Sequence, residues 1–406
     1  MKQAYASSLA LAAVVAAALT TPALAAPFRL TSSAANTIDD WPTAIAAGNG
    51  FYLAWQHYDQ TTGNSGILLR RHGPTGVAAS GTFTVVAPTT LIGRPRLLPE
   101  HVGKLAIVWA EQGTGINGRT ITTTTAAMGA ARALTKPSTV HFDPARLSDG
   151  SVAVSHTVLD TTVPSDIRNR VALTTASSVF APATKDRFVT ASNNPMSGPA
   201  SFDHAVAPGA NGASLNFYRD RTDFNLYLVK ATATDAMAVT RTRVNTTAMR
   251  NTSASEMAFF GVQAVRLTDG RIAVAWTSPE QTTLFTQSLR LRFLDPTGKP
   301  IGLDQKVNVT ATGGQFDPRL VAVPSGRLGV AWTQDEGTTR YHRIRWYRAD
   351  GKPSGLPKTL RSDTEVSDSA GSRLALLKDG RVLQVYRRKV PSDAGYTIWG
   401  ELLTPQ

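Results

Sequence analysis

The chain has 406 residues, with 42 lysines and arginines against 29 aspartates and glutamates, and no cysteine. Its formal charge of +13 suits an anionic partner such as an acidic polysaccharide or a charged envelope surface, although a merely soluble, arginine-rich surface carries the same excess. Without cysteine there are no disulfides, no thiolate nucleophile, no cysteine-ligated metal and no lipidated N-terminal cysteine.

Residues 1–25 read as a signal peptide. Lys2 precedes the alanine-rich apolar run Leu9–Leu19, and Ala23-Leu24-Ala25 has the small residues of a cleavage site. That run is too short for a membrane anchor, and no later segment has the length to span a bilayer. The expectation is a periplasmic or secreted protein of residues 26–406.

Beyond the leader the chain repeats itself. A turn glycine, then alternating small and apolar residues ending in a ring, occurs seven times: Gly50–Trp55, Gly103–Trp109, Gly150–His156, Gly212–Phe217, Gly270–Trp276, Gly326–Trp332 and Gly380–Tyr386. The spacing averages about 55 residues, and such periods mark radial or solenoid architectures. Each Asp-Gly, Asn-Gly or Ser-Gly pair supplies the positive φ of a tight hairpin turn. The segment before the turn, such as Arg94–Leu98 or Asp317–Val321, reads as an inner strand. The apolar segment after it reads as a strand packed on both faces. A third run alternates, as in Ser288–Phe293 and Arg343–Tyr347, and a turn such as Asp295–Gly298 leads to a fourth, such as Lys306–Val309. The run Thr122–Thr125 reads as an exposed strand edge.

Four antiparallel strands per repeat make one propeller blade. The last repeat ends after its third strand, Tyr396–Leu403, and Phe28–Leu30 resembles a fourth strand waiting for a blade. The expected fold is therefore all-β: a single seven-bladed β-propeller whose ring the N-terminal strand closes, leaving no open edge. In architecture, over the whole mature length, the chain resembles secreted bacterial β-propeller repeat proteins. It lacks the Gly-His and Trp-Asp signatures of WD repeats and the Ser-x-Asp-x-Gly-x-Thr-Trp box of sialidases. The resemblance implies a fold and no particular substrate.

Residue types that recur from repeat to repeat belong to the scaffold, whereas a singular one needs a local reason. Asp143, Asp203 and Asp317 follow a phenylalanine at the starts of inner strands, with Asp40 and Asp368 as looser matches. They read as strand-start turn residues. A ring of such carboxylates at the channel mouth would alternatively hold a hard cation, though the dense spacing of a calcium loop is missing. Residues just past the second strands differ from blade to blade, as functional loops do. From these, together with the inner-strand starts, come the binding candidates Asp59, Glu111, Asp203, Asp220, Asp335 and Arg387.

His57, Tyr58, His204 and Arg219 form the catalytic candidates, because a histidine, a tyrosine and an arginine suit β-elimination on a uronate-containing polysaccharide. A paired-carboxylate glycosidase drawing on Asp59, Glu111, Glu280, Asp335 and Glu336 would depend on their separations. His156 replaces an aromatic and reads as a core residue, while His72, His101, His141 and His342 have no metal spacing. Gly113–Gly118 matches G-x-G-x-x-G but joins two strands, so no dinucleotide site is expected. Arg290, Arg292, Arg343 and Arg345 alternate on one face, either covering apolar surface at a blade junction or meeting an anionic polymer. The strands lack interleaved stacking aromatics, which argues against nucleic acid.

Two readings follow. One is an exported, monomeric ligand-binding or scaffolding propeller that recognises a glycan or an envelope protein at the channel mouth, with no metal and no cofactor. The other is a lyase acting on an acidic polysaccharide.

Overall fold

The computed structural model describes residues 26–89, 92–111, 113–135, 139–159, 167–173, 185–188, 204–220, 223–232, 240–247, 249, 261–279, 287–309, 313–363, 372–389 and 395–406. The leader, Asp203, Glu280 and Asp368 lie outside them. Among the described residues no helix is long and apolar enough to cross a membrane.

The chain opens with β1 (Phe28–Arg29) and then runs through the sheets in order. The first comprises β2 (Thr37–Ala47), β3 (Gly50–Asp59), β4 (Ser65–His72) and β5 (Ala78–Thr89). The second comprises β6 (Ile92–His101), β7 (Lys104–Glu111), β8 (Gly115–Thr122) and β9 (Arg132–Ala133). The third comprises β10 (Thr139–Arg146), β11 (Val152–Leu159), β12 (Ile167–Leu173) and β13 (Lys185–Phe188). The fourth comprises β14 (His204–Pro208), β15 (Ser214–Arg219), β16 (Leu226–Ala231) and β17 (Arg241–Arg243). The fifth comprises β18 (Val262–Arg266), β19 (Ile272–Ser278), β20 (Ser288–Leu294) and β21 (Pro300–Lys306). The sixth comprises β22 (Gly314–Val323), β23 (Arg327–Asp335), β24 (Arg340–Tyr347) and β25 (Lys358–Asp363). The last comprises β26 (Arg373–Leu376), β27 (Val382–Arg388) and β28 (Thr397–Leu403), with β1 as its fourth strand.

These are four-stranded antiparallel blades of an all-β propeller. Phe28 pairs with Gly400 and Arg29 with Trp399, so the two ends of the chain share a sheet. The first strand of each sheet lies against that of the next, from β2 through β26, and β26 in turn lies against β2. The apolar faces meet between consecutive sheets. Trp276, Val274 and Ile272 pack against Phe217 and Leu228, and Phe51, Leu53 and Trp55 of the first sheet pack against Leu377, Leu383 and Ile398 of the last. Burying each tryptophan or phenylalanine side chain stabilises the fold by roughly 1.5–3 kcal/mol.

Three expectations about local structure need correction. The first turn is Gly48-Asn49, with Gly48 at φ 57°, while Gly50 already pairs with Ala47 inside the strand. A Cβ on Gly50 would lie 1.9 Å from the carbonyl oxygen of His72, so close backbone approach is what requires glycine there. The fourth strand of the fifth sheet is Pro300–Lys306, ahead of Lys306–Val309. Thr123–Thr125 form a turn beyond the end of β8.

Much of the arginine surplus joins blades. Arg70 donates to the carbonyl of Leu30 (3.4 Å), Arg119 to Val85 (2.7 Å), Arg345 to Val307 (2.8 Å) and Arg292 to Val244. Each guanidinium sits on the third strand of its sheet and reaches a carbonyl of the neighbouring one. Arg290 pairs with Asp304 and Arg343 donates to Thr359 of their own sheets, so the basic stripe is occupied partly within sheets and, through Arg292 and Arg345, between them. At the turn end, Arg271 and Arg381 each pair with the aspartate of their own Asp-Gly turn and donate to Ala349 and Pro74 of the next sheet.

Candidate functional site

Because each first strand antiparallels the second, its start lies beside the second strand's end. Thr37 faces Asp59, Ile92 faces Glu111, His204 faces Tyr218 and Gly314 faces Asp335. The sequence candidates therefore share one end of the blades. They do not share one site.

Several are committed to local structure. Asp59 accepts the backbone N–H of Thr61 (2.8 Å), a turn bond that holds its carboxyl below the ordinary range. Glu111 accepts from Asn117 (3.1 Å), and Asp335 pairs with Arg340 (3.0 Å) and caps Gly337. Asp220 is buried in an ion pair with Arg241. The catalytic role suggested for Arg219 is corrected: the side chain is buried, donating to the carbonyl of Thr277 (2.7 Å) in the next sheet, with Met249 against it. His204 is buried on the fourth sheet, with two sheets between it and His57 on the first. The catalytic grouping of His57, Tyr58, His204 and Arg219 is thus dispersed. His156 is fully buried, as its core reading requires.

What does come together lies at the seam between the first and last sheets. Asp39, 2 % exposed, accepts from Trp55 Nε1 (3.0 Å) and faces His57 Nδ1 at 2.7 Å. The Asp39 hydrogen bond raises the His57 pKa, so the imidazolium is favoured, while the ring stays partly exposed. The next residue, Asp40, pairs with Arg387 of β27 at 2.5 Å. Arg387 stacks 4.5 Å from the Tyr396 ring, and Lys389 lies 5.7 Å from the same ring. The carbonyl of Tyr396 accepts the N–H of Asp39 (3.1 Å), closing the group. Tyr58 adjoins it on β3, opposite Ile38.

Asp39 escaped the sequence reading for a physical reason. The Gly48-Asn49 turn pairs Ala47 with Gly50, and carried onward without interruption that register would set Asp40 opposite His57. A bulge between Asp40 and Thr43 inserts one residue, so Asp39 faces His57 instead. Its signal is Pro42, which has no N–H to give a ladder.

The same bulge recurs at Arg94-Pro95 and Asp317-Pro318. The residue before each proline has positive φ: Trp41 49°, Arg94 47° and Asp317 57°. These are conformations that residues other than glycine rarely adopt and that cluster where a backbone re-aims side chains. Arg94, Arg96, Arg319 and Arg373 lie close enough to Asp40, Asp143 and Asp317 to feel one another's charge. Arg319 pairs with Asp317 (2.5 Å), and Asp143 accepts the N–H of Val206 (3.1 Å). Burial pushes the Asp40 and Asp143 carboxyls up. It also brings Arg94 down to about 9 and Arg96 to about 10, with neighbouring arginines adding to the effect. Guanidinium groups thus interleave the carboxylates, which corrects the picture of an acidic ring suited to a cation.

No family model matches the chain, and no curated protein does. Among solved structures it resembles the polysaccharide lyase Uly1 over 95 % of its own length and 94 % of the other chain, with 8 % identity and a TM-score of 0.53. It resembles an ulvan lyase of a polysaccharide lyase family over 92 % and 95 %, with 9 % identity and a TM-score of 0.51. At such identities the likeness is one of propeller fold alone.

Proposed function

We propose that the chain is an exported, closed seven-bladed β-propeller that binds an acidic glycan at the seam between its first and last blades. Seven sheets in contact order, with β26 against β2, support the closed ring. The binding reading rests on one observation: consecutive aspartates hold His57 and Arg387 in a single patch with Tyr396 and Lys389. Guanidinium and ammonium donors suit a uronate carboxylate, and an aromatic face suits the apolar side of a sugar ring. The two lyases of similar fold act on polysaccharides, which is compatible with that ligand class.

A lyase is the second reading, favoured by the His57–Asp39 pair. Asp39 fixes the ring through Nδ1, leaving Nε2 to take or give a proton while Arg387 neutralises a carboxylate. Titrating uronate-containing and neutral polysaccharides against the protein separates these readings. Saturable binding to the acidic chains alone, weakened in Lys389→Gln, is expected of the binder. Ultraviolet-absorbing unsaturated product, lost in His57→Gln, would move the assignment to the lyase. Binding to neither class would remove both. Export itself is tested by N-terminal sequencing of protein recovered outside the cytoplasm, with the mature chain expected to begin near Ala26.

A further inference from the structure

We propose that the central axis carries an anion-binding site for a small oxyanion, a phosphate, sulfate or carboxylate group, held chiefly by Arg96 and Arg373. By strand register, Arg96 of β6, Arg319 of β22 and Arg373 of β26 are equivalent. Each faces the second-strand residue just before the ring that recurs in each repeat, namely Val108, Ala331 and Val385. Asp143, opposite Ser155, occupies the same level on the third sheet. Three guanidinium groups and one carboxylate thus meet at one height on the inner strands.

The charges there are unevenly matched. Arg319 is satisfied by Asp317 and the carbonyl of Ser372 (2.7 Å), and Arg94 lies 4.1 Å over the Trp41 ring. Among the described residues Arg96 donates only to the carbonyl of Pro95 (3.2 Å), and Arg373 only to that of Ser372 (2.9 Å). Among the described residues neither has a carboxylate within ion-pair distance, although a guanidinium offers five N–H donors. Both are half-buried. Arg96 is attracted by Asp143 and repelled by Arg319, and desolvation together with repulsion from Arg319 and Arg96 holds Arg373 well below its ordinary pKa. Confined cations of this kind gain most from an anion that accepts several N–H groups at once.

This site is distinct from the seam reading, since it uses other arginines and a smaller ligand. The probes are inorganic phosphate and sulfate, compared with chloride at equal ionic strength, read by thermal unfolding and by titration calorimetry. Wild type and the exposed control Arg132→Gln should show a saturable rise in Tm with phosphate or sulfate that chloride does not give. Arg96→Gln and Arg373→Gln should fold at least as well in chloride and bind the oxyanion about tenfold more weakly or worse, as expected when a charged donor is removed. A rise that never saturates, or one unchanged in both variants, overturns the proposal. Should the variants fail to fold, the absence of saturable heat with the wild-type protein overturns it equally. Competition by a uronate oligosaccharide would identify the bound group as a glycan carboxylate, and phosphate binding unaffected by it would identify a free anion.

Discussion

The two ends of the blades are built on different rules. At the turn end one device recurs in the third, fifth and last sheets, an Asp-Gly turn capped by its own aspartate, and in Asp269–Arg271 and Asp379–Arg381 an arginine reaches the neighbouring sheet. At the opposite end each blade has its own chemistry. Yet most of those singular residues are as structural as the repeated ones: Arg219 ties two sheets, and Asp335 and Asp220 have found local arginines. Divergence among repeats is therefore not a sign of function by itself. It becomes one only where, as at the seam between the first and last blades, the singular residues gather and several remain accessible.

That contrast can be tested by breaking each end in turn. Arg387→Ala should be the most damaging, about 3 kcal/mol at neutral pH, because it strands the enclosed Asp40 carboxylate. Burial already raises the Asp40 pKa, so the ionised carboxyl costs stability as pH rises past its unfolded value. The variant, with a further raised pKa, should recover part of its loss on acidification, and urea unfolding at several pH values reads this. Gly76→Val comes next, at about 2–3 kcal/mol, since Gly76 has φ 89° and a Cβ there would strike the Phe28 ring of the closing strand. An unchanged urea midpoint would mean that β1 does not seat where it is placed. Arg381→Ala should cost about 0.5–1 kcal/mol, as an exposed latch that other junctions duplicate.

Asp39→Asn should change stability least while changing chemistry most. The wild-type His57 pKa lies above its unfolded value, so its stabilising share is complete below that unfolded value and fades as pH rises through the folded one. Removing the carboxylate should lower the His57 pKa and flatten that dependence, which a histidine NMR titration would follow. An unmoved titration would disconnect Asp39 from His57.

The repeats were legible because a hairpin turn and an apolar strand leave a local, periodic imprint. Gly150, Gly270 and Gly380 supply positive φ as expected. The seam pairing of Phe28 with Gly400 also followed from noticing that the last repeat lacked a strand. The site was far less legible. Which aspartate faces His57 depends on a one-residue bulge, and whether Asp220 or Arg219 is available depends on partners many residues away, Arg241 and Thr277. The arginines of the axis stood in plain view as Arg-Pro-Arg and Asp-Pro-Arg, but only a three-dimensional arrangement brings strands β6, β22 and β26 to one level.

The seam has a kinetic side. Phe28 and Gly400 stand nearly the whole chain apart, and contacts between such remote positions form late and slowly because the intervening loop must first be closed. Until β28 has emerged, β1 has no partner, and the apolar face that the first blade turns to the last lies uncovered. Holding this protein unfolded until synthesis is complete would therefore shield it from self-association at the face where its two ends eventually meet.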